Sequence, residues 1–386
     1  MVFFVTDKTN EKNIFKKLLS LNYKETLYFV AKCLTITLED RNRNEIELVL
    51  KSKRVNWEAV VKISTSHYVL PALYCNFQRS NFLPYLPEEL IAYMQYITNL
   101  NRERNKQIIT QARKLNTLLL KNNIKPIFLK GTANLFSGIY VDLAERMVGD
   151  IDFLFSKEDY PKAIKLLKKF NYSEVSKFDY YYPGAKHYGR LQKENNIAAV
   201  EIHSEILGFE KYREEFNYRI VEKDLQIINQ FRVLSYANKL NLSIISHQIN
   251  DNGFYYKTIA LRNAYDVFLL SKKTTAIDAV NKLQKLNYPL NCFLATCYEV
   301  FDKLDSLKYN NTKKTISYLK IFNNQFANPV LTKKKHKIIQ IYLFLKYRYE
   351  ILINVITNKD SRIWFIKRIT DINRYHKKID KSGLKK

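Results

Sequence analysis

Residues 148–156 read VGDIDFLFS, an apolar run that contains two aspartates one residue apart. Alternate side chains of a β-strand lie on opposite faces of the sheet, so Asp150 and Asp152 share one face while Ile151 and Phe153 share the other. Two carboxylates at neighbouring positions on one face repel each other unless a cation lies between them. The run therefore predicts a strand that carries a cation site.

A third carboxylate lies in a similar setting further along the chain. Glu201 stands between Val200 and Ile202 in AAVEIHSE, an apolar stretch typical of a strand. If this strand lies beside the first, three carboxylates converge and could hold two divalent cations. Carboxylates and phosphate oxygens are the usual ligands of Mg²⁺, and two such ions can clamp an in-line displacement at phosphorus. His203 shares a face with Glu201 and is a candidate to support the carboxylates.

The stretch FLKGTANL, residues 128–135, has features of a phosphate-binding turn. A short apolar run ends at Lys130, and Gly131 and Thr132 open a segment that looks helical. A helix N-terminus presents free backbone N–H groups to anions, and glycine permits close approach. Arg146, ahead of the two aspartates, could also reach a phosphate. The chain contains no GxxxxGK[ST] motif, so this is not a Walker loop.

The pattern of apolar residues divides the chain into three regions. Residues 1–122 carry helical spacing, residues 123–208 alternate between strand-like and helical stretches, and residues 209–386 return to helical spacing. In the middle region HYGRLQ and IAAVEIHSEI flank the polar turn KENN, which predicts a hairpin. The sequence thus predicts an α+β fold, in which a small mixed sheet with helices is flanked by N- and C-terminal helical regions.

The chain is strongly basic. Its 386 residues include 64 Lys and Arg against 37 Asp and Glu, a formal net charge of +27. Such a charge attracts phosphate-rich partners such as nucleoside triphosphates, nucleic acid or an anionic membrane surface, and it argues against a polycationic substrate. An A/T-rich coding sequence would also enrich lysine over a solvated surface. The charge alone therefore leaves the partner open.

The remaining composition points to a cytoplasmic protein. Cys292 and Cys297 fit no CxxC spacing, and we expect all 4 cysteines to be buried thiols in a reducing compartment. The N-terminal MVFFVTDKTNEKN turns polar too early for a signal peptide. The longest apolar stretches, IIQIYLFL and ILINVITN, are too short to span a bilayer.

These motifs resemble those of the nucleotidyltransferase superfamily, and more closely those of its bacterial family of uncharacterised nucleotidyltransferases. The matching segments are LKG (129–131), RMVGDIDFLF (146–155), KHYGRL (186–191) and VEIH (200–203). Helical stretches on both sides extend the resemblance over roughly residues 55–270. Thr132 stands where many members have serine, a change that a backbone contact to phosphate would tolerate.

The resemblance implies a nucleotidyltransferase-type core that moves a nucleoside monophosphate, with AMP favoured, from a nucleoside triphosphate to an acceptor while pyrophosphate leaves. Asp150 and Asp152 would bind two Mg²⁺ ions, with Mn²⁺ as an alternative. Glu201 would share one ion and help to deprotonate the acceptor hydroxyl. The acceptor group would be a hydroxyl or a phosphate, and the basic chain favours an acidic acceptor such as a peptide or protein.

The resemblance also implies which residues hold the nucleotide. Lys130, Gly131 and Thr132 would bind the triphosphate, with Arg146 in support. His187 takes the position of the family's histidine in KHYGRL and is a candidate to contact the nucleotide or the acceptor.

Two other functions remain open. The chain could be a catalytically idle protein that holds nucleic acid on its basic helices, or a template-independent enzyme that adds nucleotides to RNA. The aromatic run FDYYYP, residues 178–183, could stack a base, although a chain with 28 tyrosines offers such runs by chance. Base preference, acceptor and oligomeric state do not follow from the sequence.

Overall fold

A computed structural model describes residues 23–175 and 182–370. Most of the aromatic run at residues 178–183 therefore lies outside the described residues. Within them, helices surround one mixed sheet of seven strands, which confirms the α+β prediction.

The sheet contains both parallel and antiparallel neighbours. Its strands are β1 (Ile127–Phe128), β2 (Asp150–Leu154), β3 (Ser173–Glu174), β4 (Leu191–Gln192), β5 (Ala199–His203), β6 (Leu225–Ile228) and β7 (Phe231–Leu234). They lie side by side in the order β3-β4-β5-β2-β1-β7-β6. The central strand β2 is parallel to β5 and antiparallel to β1, and β4 and β5 form the predicted antiparallel pair.

Helices precede, interrupt and follow the sheet. Before β1 lie a helical segment at 23–33 and α1 (Asp40–Lys51), α2 (Trp57–Ser66), α3 (Leu70–Arg79) and α4 (Glu88–Lys121). Between strands lie α5 (Lys130–Phe136), α6 (Asp159–Lys169) and α7 (Tyr218–Val221). After β7 come α8 (Tyr236–Ile245), a π-helical turn (Ser246–Asn250), α9 (Gly253–Tyr256), α10 (Leu261–Ser271), α11 (Ala276–Asn281), α12 (Asn287–Val300), α13 (Lys313–Asn324), α14 (Pro329–Thr357) and α15 (Lys359–Thr370). None of the helices that the structure describes is long and apolar enough to cross a membrane.

The long helix α4 anchors the segments that lead into β2 and β5. The Asn105 side-chain amide donates to the backbone carbonyls of Leu143 and Arg146, at 2.6 and 2.7 Å. Further along α4, the Gln111 amide exchanges two hydrogen bonds with the backbone of Ala198, immediately before β5. Because buried polar groups require partners, these bonds hold the segments that precede β2 and β5 against α4.

The two faces of β2 have opposite characters, as the alternation predicts. Ile151 and Phe153 are fully buried on one face, where Phe153 makes an edge contact with Phe128 at a ring-centroid distance of 4.7 Å. Phe128 and Phe136 in turn contact Phe231 of β7. This aromatic cluster holds the central strands together and leaves the other face of β2 for the carboxylates.

The prediction of a purely helical chain beyond residue 208 is wrong between Leu225 and Leu234. These residues form the β6–β7 hairpin, whose strand β7 pairs in parallel with β1. Asn229 and Gln230 form its two-residue turn with φ values of 48° and 70°, the left-handed backbone that matches strand twist. The sheet therefore extends past the predicted core, whereas the division into domains stays a prediction.

Candidate active site

Strands β2 and β5 bring the predicted carboxylates together. Their parallel register places Asp152 opposite Glu201 and Leu154 opposite His203, which confirms that the two strands are neighbours. Because alternate residues share a face, Asp150 lies on the same face one pleat away. Ligand atoms of Asp152, Glu201 and His203 all lie within 4.8 Å of one another, a group that could hold a metal ion.

The imidazole of His203 lies between the two carboxylates. Its Nε2 atom is 3.0 Å from Oδ1 of Asp152 and 3.5 Å from Oε2 of Glu201. The ring is buried, and its Nδ1 atom has no hydrogen-bond partner among the residues that the structure describes. The carboxylates are ligands that suit Mg²⁺ and Mn²⁺, and the imidazole can either ligate a metal or orient Asp152. The donor set therefore fits a divalent cation.

Lys130 contacts the same two carboxylates. Its Nζ atom is 2.6 Å from Oδ1 of Asp152 and 3.5 Å from Oε2 of Glu201. Burial alone would lower the pKa of Lys130, but the charges of Asp152 and Glu201 outweigh it and raise the pKa. Burial would likewise raise the pKa of Glu201, yet the His203 hydrogen bond and the Lys130 charge hold it well below its usual range. Both groups are therefore charged near neutral pH.

The turn between β1 and α5 has an uncommon backbone. Lys130 has a φ of 51°, in the left-handed region that costs a residue with a Cβ about 1 kcal/mol. At Gly131 a Cβ atom would lie 2.9 Å from Cγ2 of Val148, so the missing side chain lets α5 approach the segment before β2. The Thr132 hydroxyl donates to the backbone carbonyl of Asp150 at 3.1 Å. The predicted phosphate-binding residues thus lie against the start of β2.

We expect Lys130→Gly to be more stable than Lys130→Ala by about 1 kcal/mol, the reverse of the usual order in a helix. Both variants lose the same ammonium group, but only glycine adopts the left-handed backbone without cost. Urea unfolding of the two variants measures the difference. An alanine variant of equal or greater stability would contradict the positive φ at this turn.

Arg146 is held by a buried ion pair. Its Nε atom is 3.0 Å from both carboxylate oxygens of Asp266, and Tyr140 donates its hydroxyl hydrogen to the same carboxylate. Burial alone would lower the pKa of Arg146, but the charge of Asp266 outweighs it and raises the pKa. The guanidinium therefore has a structural partner, and its predicted contact with phosphate stays a prediction.

Arg190 is a site residue that the sequence analysis missed. Its guanidinium lies 2.7 Å from Oδ2 of Asp150 and 3.3 Å from Oε1 of Glu201. Burial raises the pKa of Asp150 while the Arg190 charge opposes that rise. Arg190 belongs to the KHYGRL motif, in which only His187 was predicted to act in the site.

His187 lies beside His203, next to the carboxylates of Asp152 and Glu201. It forms a bridge pair with His203, and the two ring centroids are 5.1 Å apart. Its Nδ1 atom is 2.7 Å from the backbone carbonyl of Tyr188, which places a hydrogen on Nδ1. Burial lowers the pKa of His187, so the ring is neutral at pH 7. Its contact with nucleotide or acceptor stays a prediction.

A cavity of about 130 Å³ adjoins this group. Four cationic side chains line it: Lys130, Arg146, Lys186 and Arg262. Burial lowers the pKa of Lys186 and of Arg262, and the neighbouring cations lower both further. Asp251 and Asp266 also line the cavity, but in the described part of the chain neither Lys186 nor Arg262 forms an ion pair. Arg262 also lies over the ring of Tyr68, at 4.9 Å from its centroid. Partly buried cations that lack an ion pair favour a bound anion.

The chain belongs to the family of uncharacterised nucleotidyltransferases, whose model matches residues 53–300. This match confirms the resemblance of the sequence motifs. Helices α14 and α15 lie beyond the matched residues.

Two solved structures from Helicobacter pylori are similar to the chain. One is JHP933, which is 16% identical, with a TM-score of 0.27; the match covers 63% of this chain and 97% of that one. The other is described provisionally as a nucleotidyltransferase and is 16% identical, with a TM-score of 0.28; its match covers 63% of this chain and 96% of that one. No curated protein matches the chain.

Proposed function

We propose that the protein is a metal-dependent nucleotidyltransferase that moves a nucleoside monophosphate from a nucleoside triphosphate to a hydroxyl or phosphate of an acceptor. The observation that carries the proposal is the grouping of Asp152, Glu201 and His203 beside a cavity with unpaired cations. Membership of the family supports a nucleotide as the substrate. We favour ATP as the nucleotide, which would make the reaction an adenylyl transfer.

Asp152 and Glu201 would hold a divalent cation, Mg²⁺ or Mn²⁺, and Asp150 would contribute to a second site. Such cations polarise phosphoryl oxygens and offset the negative charge that develops during phosphoryl transfer. His203 orients Asp152 through the hydrogen bond at 3.0 Å. Glu201 is in its charged form, which suits a metal ligand. Its low pKa makes it a weak base, so its predicted part in deprotonating the acceptor hydroxyl requires that binding of substrate or metal displace the Lys130 and His203 contacts.

The cationic cavity would receive the phosphates of the nucleotide. Lys130 both contacts Asp152 and lines this cavity, so its ammonium can pass from the carboxylate to a phosphate oxygen. A bound anion would give Lys186 and Arg262 the ion pair that neither forms within the described residues. Gly131 and Thr132 hold the turn that carries Lys130, and this role adds to the phosphate contact predicted for them.

A second and larger cavity offers space for the acceptor. Its volume is about 580 Å³, and Lys186 and His187 border it on the side of the carboxylates. Tyr182, Phe209 and Tyr347 form apolar parts of its wall. An acceptor in this cavity would approach the carboxylates past His187, which supports the predicted contact of this histidine.

Titration with each of the four nucleoside triphosphates plus Mg²⁺ tests the proposal. Thermal stability and pyrophosphate release are followed for the wild type, for Asp150→Asn/Asp152→Asn, and for the exposed control Asp305→Asn. We expect a nucleotide to stabilise the wild type and the control and to be turned over slowly by both, while the double variant shows neither effect.

If no nucleotide acts on the wild type, the nucleotidyltransferase proposal fails. Salt-dependent binding of nucleic acid that is unaffected by the two substitutions would then favour the idle binding protein. A ladder of extended products on RNA would instead indicate the template-independent enzyme.

A further inference from the structure

The outer side of α14 is unusually apolar for a helix that faces solvent. Ile351 is the one buried residue of this 29-residue helix. Six exposed apolar side chains follow each other at helical spacing along one side of the helix, and Tyr349 among them also borders the cavity of about 580 Å³: Ile338, Ile341, Leu345, Tyr349, Leu352 and Ile356. We call these six residues the outer stripe. A contiguous exposed apolar surface of this kind marks an interaction site.

Helix α15 extends this surface. On one side Trp364 is buried and its ring contacts Tyr182 at a centroid distance of 5.0 Å, so that side is docked on the protein. Ile363, Ile366 and Ile369 remain exposed. The two helices therefore present apolar side chains on surfaces that the rest of the described chain leaves uncovered.

The charge of the two helices indicates which kind of partner fits their apolar surface. Residues 329–370 contain ten Lys and Arg against one Glu and one Asp. In sequence, residues 371–386 add six further Lys and Arg against two Asp. A second copy of the chain would bring two strongly cationic surfaces together, which is unfavourable. Nucleic acid would match the charge but offers no apolar layer for isoleucine and leucine.

We propose that α14 and α15 dock the protein on an anionic lipid surface. Helices that lie on a bilayer bury apolar side chains at the boundary between headgroups and acyl chains, while lysine and arginine bind anionic headgroups. The outer stripe provides the apolar side chains, and the surrounding lysines and arginines provide the positive charge. The helices lie on the bilayer and do not cross it, in keeping with their composition. Helix α14 also borders the cavity proposed for the acceptor, but docking on lipid does not require the proposed enzymatic activity.

Co-sedimentation of the full chain with vesicles tests the proposal. Phosphatidylcholine vesicles with and without phosphatidylglycerol are compared for the wild type and for Ile341→Gln/Leu345→Gln in the outer stripe. The control Leu48→Gln/Val141→Gln changes two apolar residues elsewhere that are more exposed than Ile341 and Leu345. Neither pair of substitutions alters the charge, so a difference between them reports the apolar contact alone.

We expect the wild type and the control to bind vesicles with phosphatidylglycerol, and the stripe variant to bind at least about fivefold less. Vesicles of phosphatidylcholine alone and high salt should both weaken binding. Equal binding by the stripe variant would overturn the proposal, because charge alone would then hold the protein. Failure of the wild type to bind vesicles would also overturn the proposal. So would a wild-type dimer that the substitutions in the outer stripe dissociate and those of the control do not.

Discussion

Replacing Arg146 with methionine is expected to lower the free energy of unfolding by about 3–5 kcal/mol. The substitution leaves the carboxylate of Asp266 buried without its cation, since both side chains of the pair are more than nine-tenths buried. Desolvation of an unpaired charge costs far more than the net strength of the pair itself. Urea unfolding measures the loss.

Two variants control this prediction. Arg102→Met breaks a pair with Asp142 whose side chains are 26% and 28% exposed, and it should cost clearly less than Arg146→Met because water reaches the carboxylate that is left. Arg146→Met/Asp266→Leu removes both charges and should recover more than half of the loss. If Arg146→Met is as mild as Arg102→Met, the buried pair does not stabilise the fold, and a role of Arg146 with phosphate becomes its main explanation.

Glu201→Gln is expected to slow pyrophosphate release by about 10²–10⁴-fold, with a much smaller change in the affinity for the nucleoside triphosphate. The variant loses the charge that lies opposite Asp152, whereas the cations of the adjoining cavity stay in place to bind phosphates. Single-turnover assays and equilibrium nucleotide binding separate the two quantities.

The control for this prediction is Glu194→Gln, the same change at an exposed position in the turn before β5. It should leave both rate and affinity unchanged. A Glu201→Gln variant that keeps the full rate would exclude the proposed catalytic role of Glu201. Equal losses of rate and nucleotide affinity would instead indicate that Glu201 acts in binding the substrate.

The centre of the fold and of the site follows from the sequence because of one periodicity. A strand with period two places Asp150 and Asp152 on one face and buries Ile151, and the structure has this arrangement. The isolated acid in AAVEIHSE predicts a second strand of the same kind. Burial of both apolar faces then favours pairing of the two strands, and the register sets Glu201 opposite Asp152.

The β6–β7 hairpin could not be predicted by the same reasoning. Its turn residues, Asn229 and Gln230, both have positive φ, a backbone that usually takes glycine at the second position. Without that glycine the local sequence LQIINQFRVL gives no clear turn signal. The hairpin forms because Phe231 packs on Phe136 and because β7 completes the edge of β1, both of which are tertiary contacts.

The motifs pointed to Lys130 and Arg146 as cations of the site, but not to the carboxylates that they contact. In a chain with 64 Lys and Arg the sequence does not tell which cation pairs with which carboxylate. Arg190 contacts Asp150 across 40 residues of sequence, and Arg146 contacts Asp266 across 120. Only the folded chain decides which of these cations is paired with a carboxylate and which, like Lys186, lines a cavity without an ion pair.

The most direct test of the account is the binding of Mn²⁺, measured by electron paramagnetic resonance with and without a non-hydrolysable nucleoside triphosphate. The account predicts that the wild type binds Mn²⁺ and that the nucleotide strengthens this binding. Asp152→Asn should lose the bound ion while remaining folded. Equal Mn²⁺ binding by the wild type and Asp152→Asn, or none by either in the presence of each nucleotide, would contradict a metal-dependent site on β2 and β5.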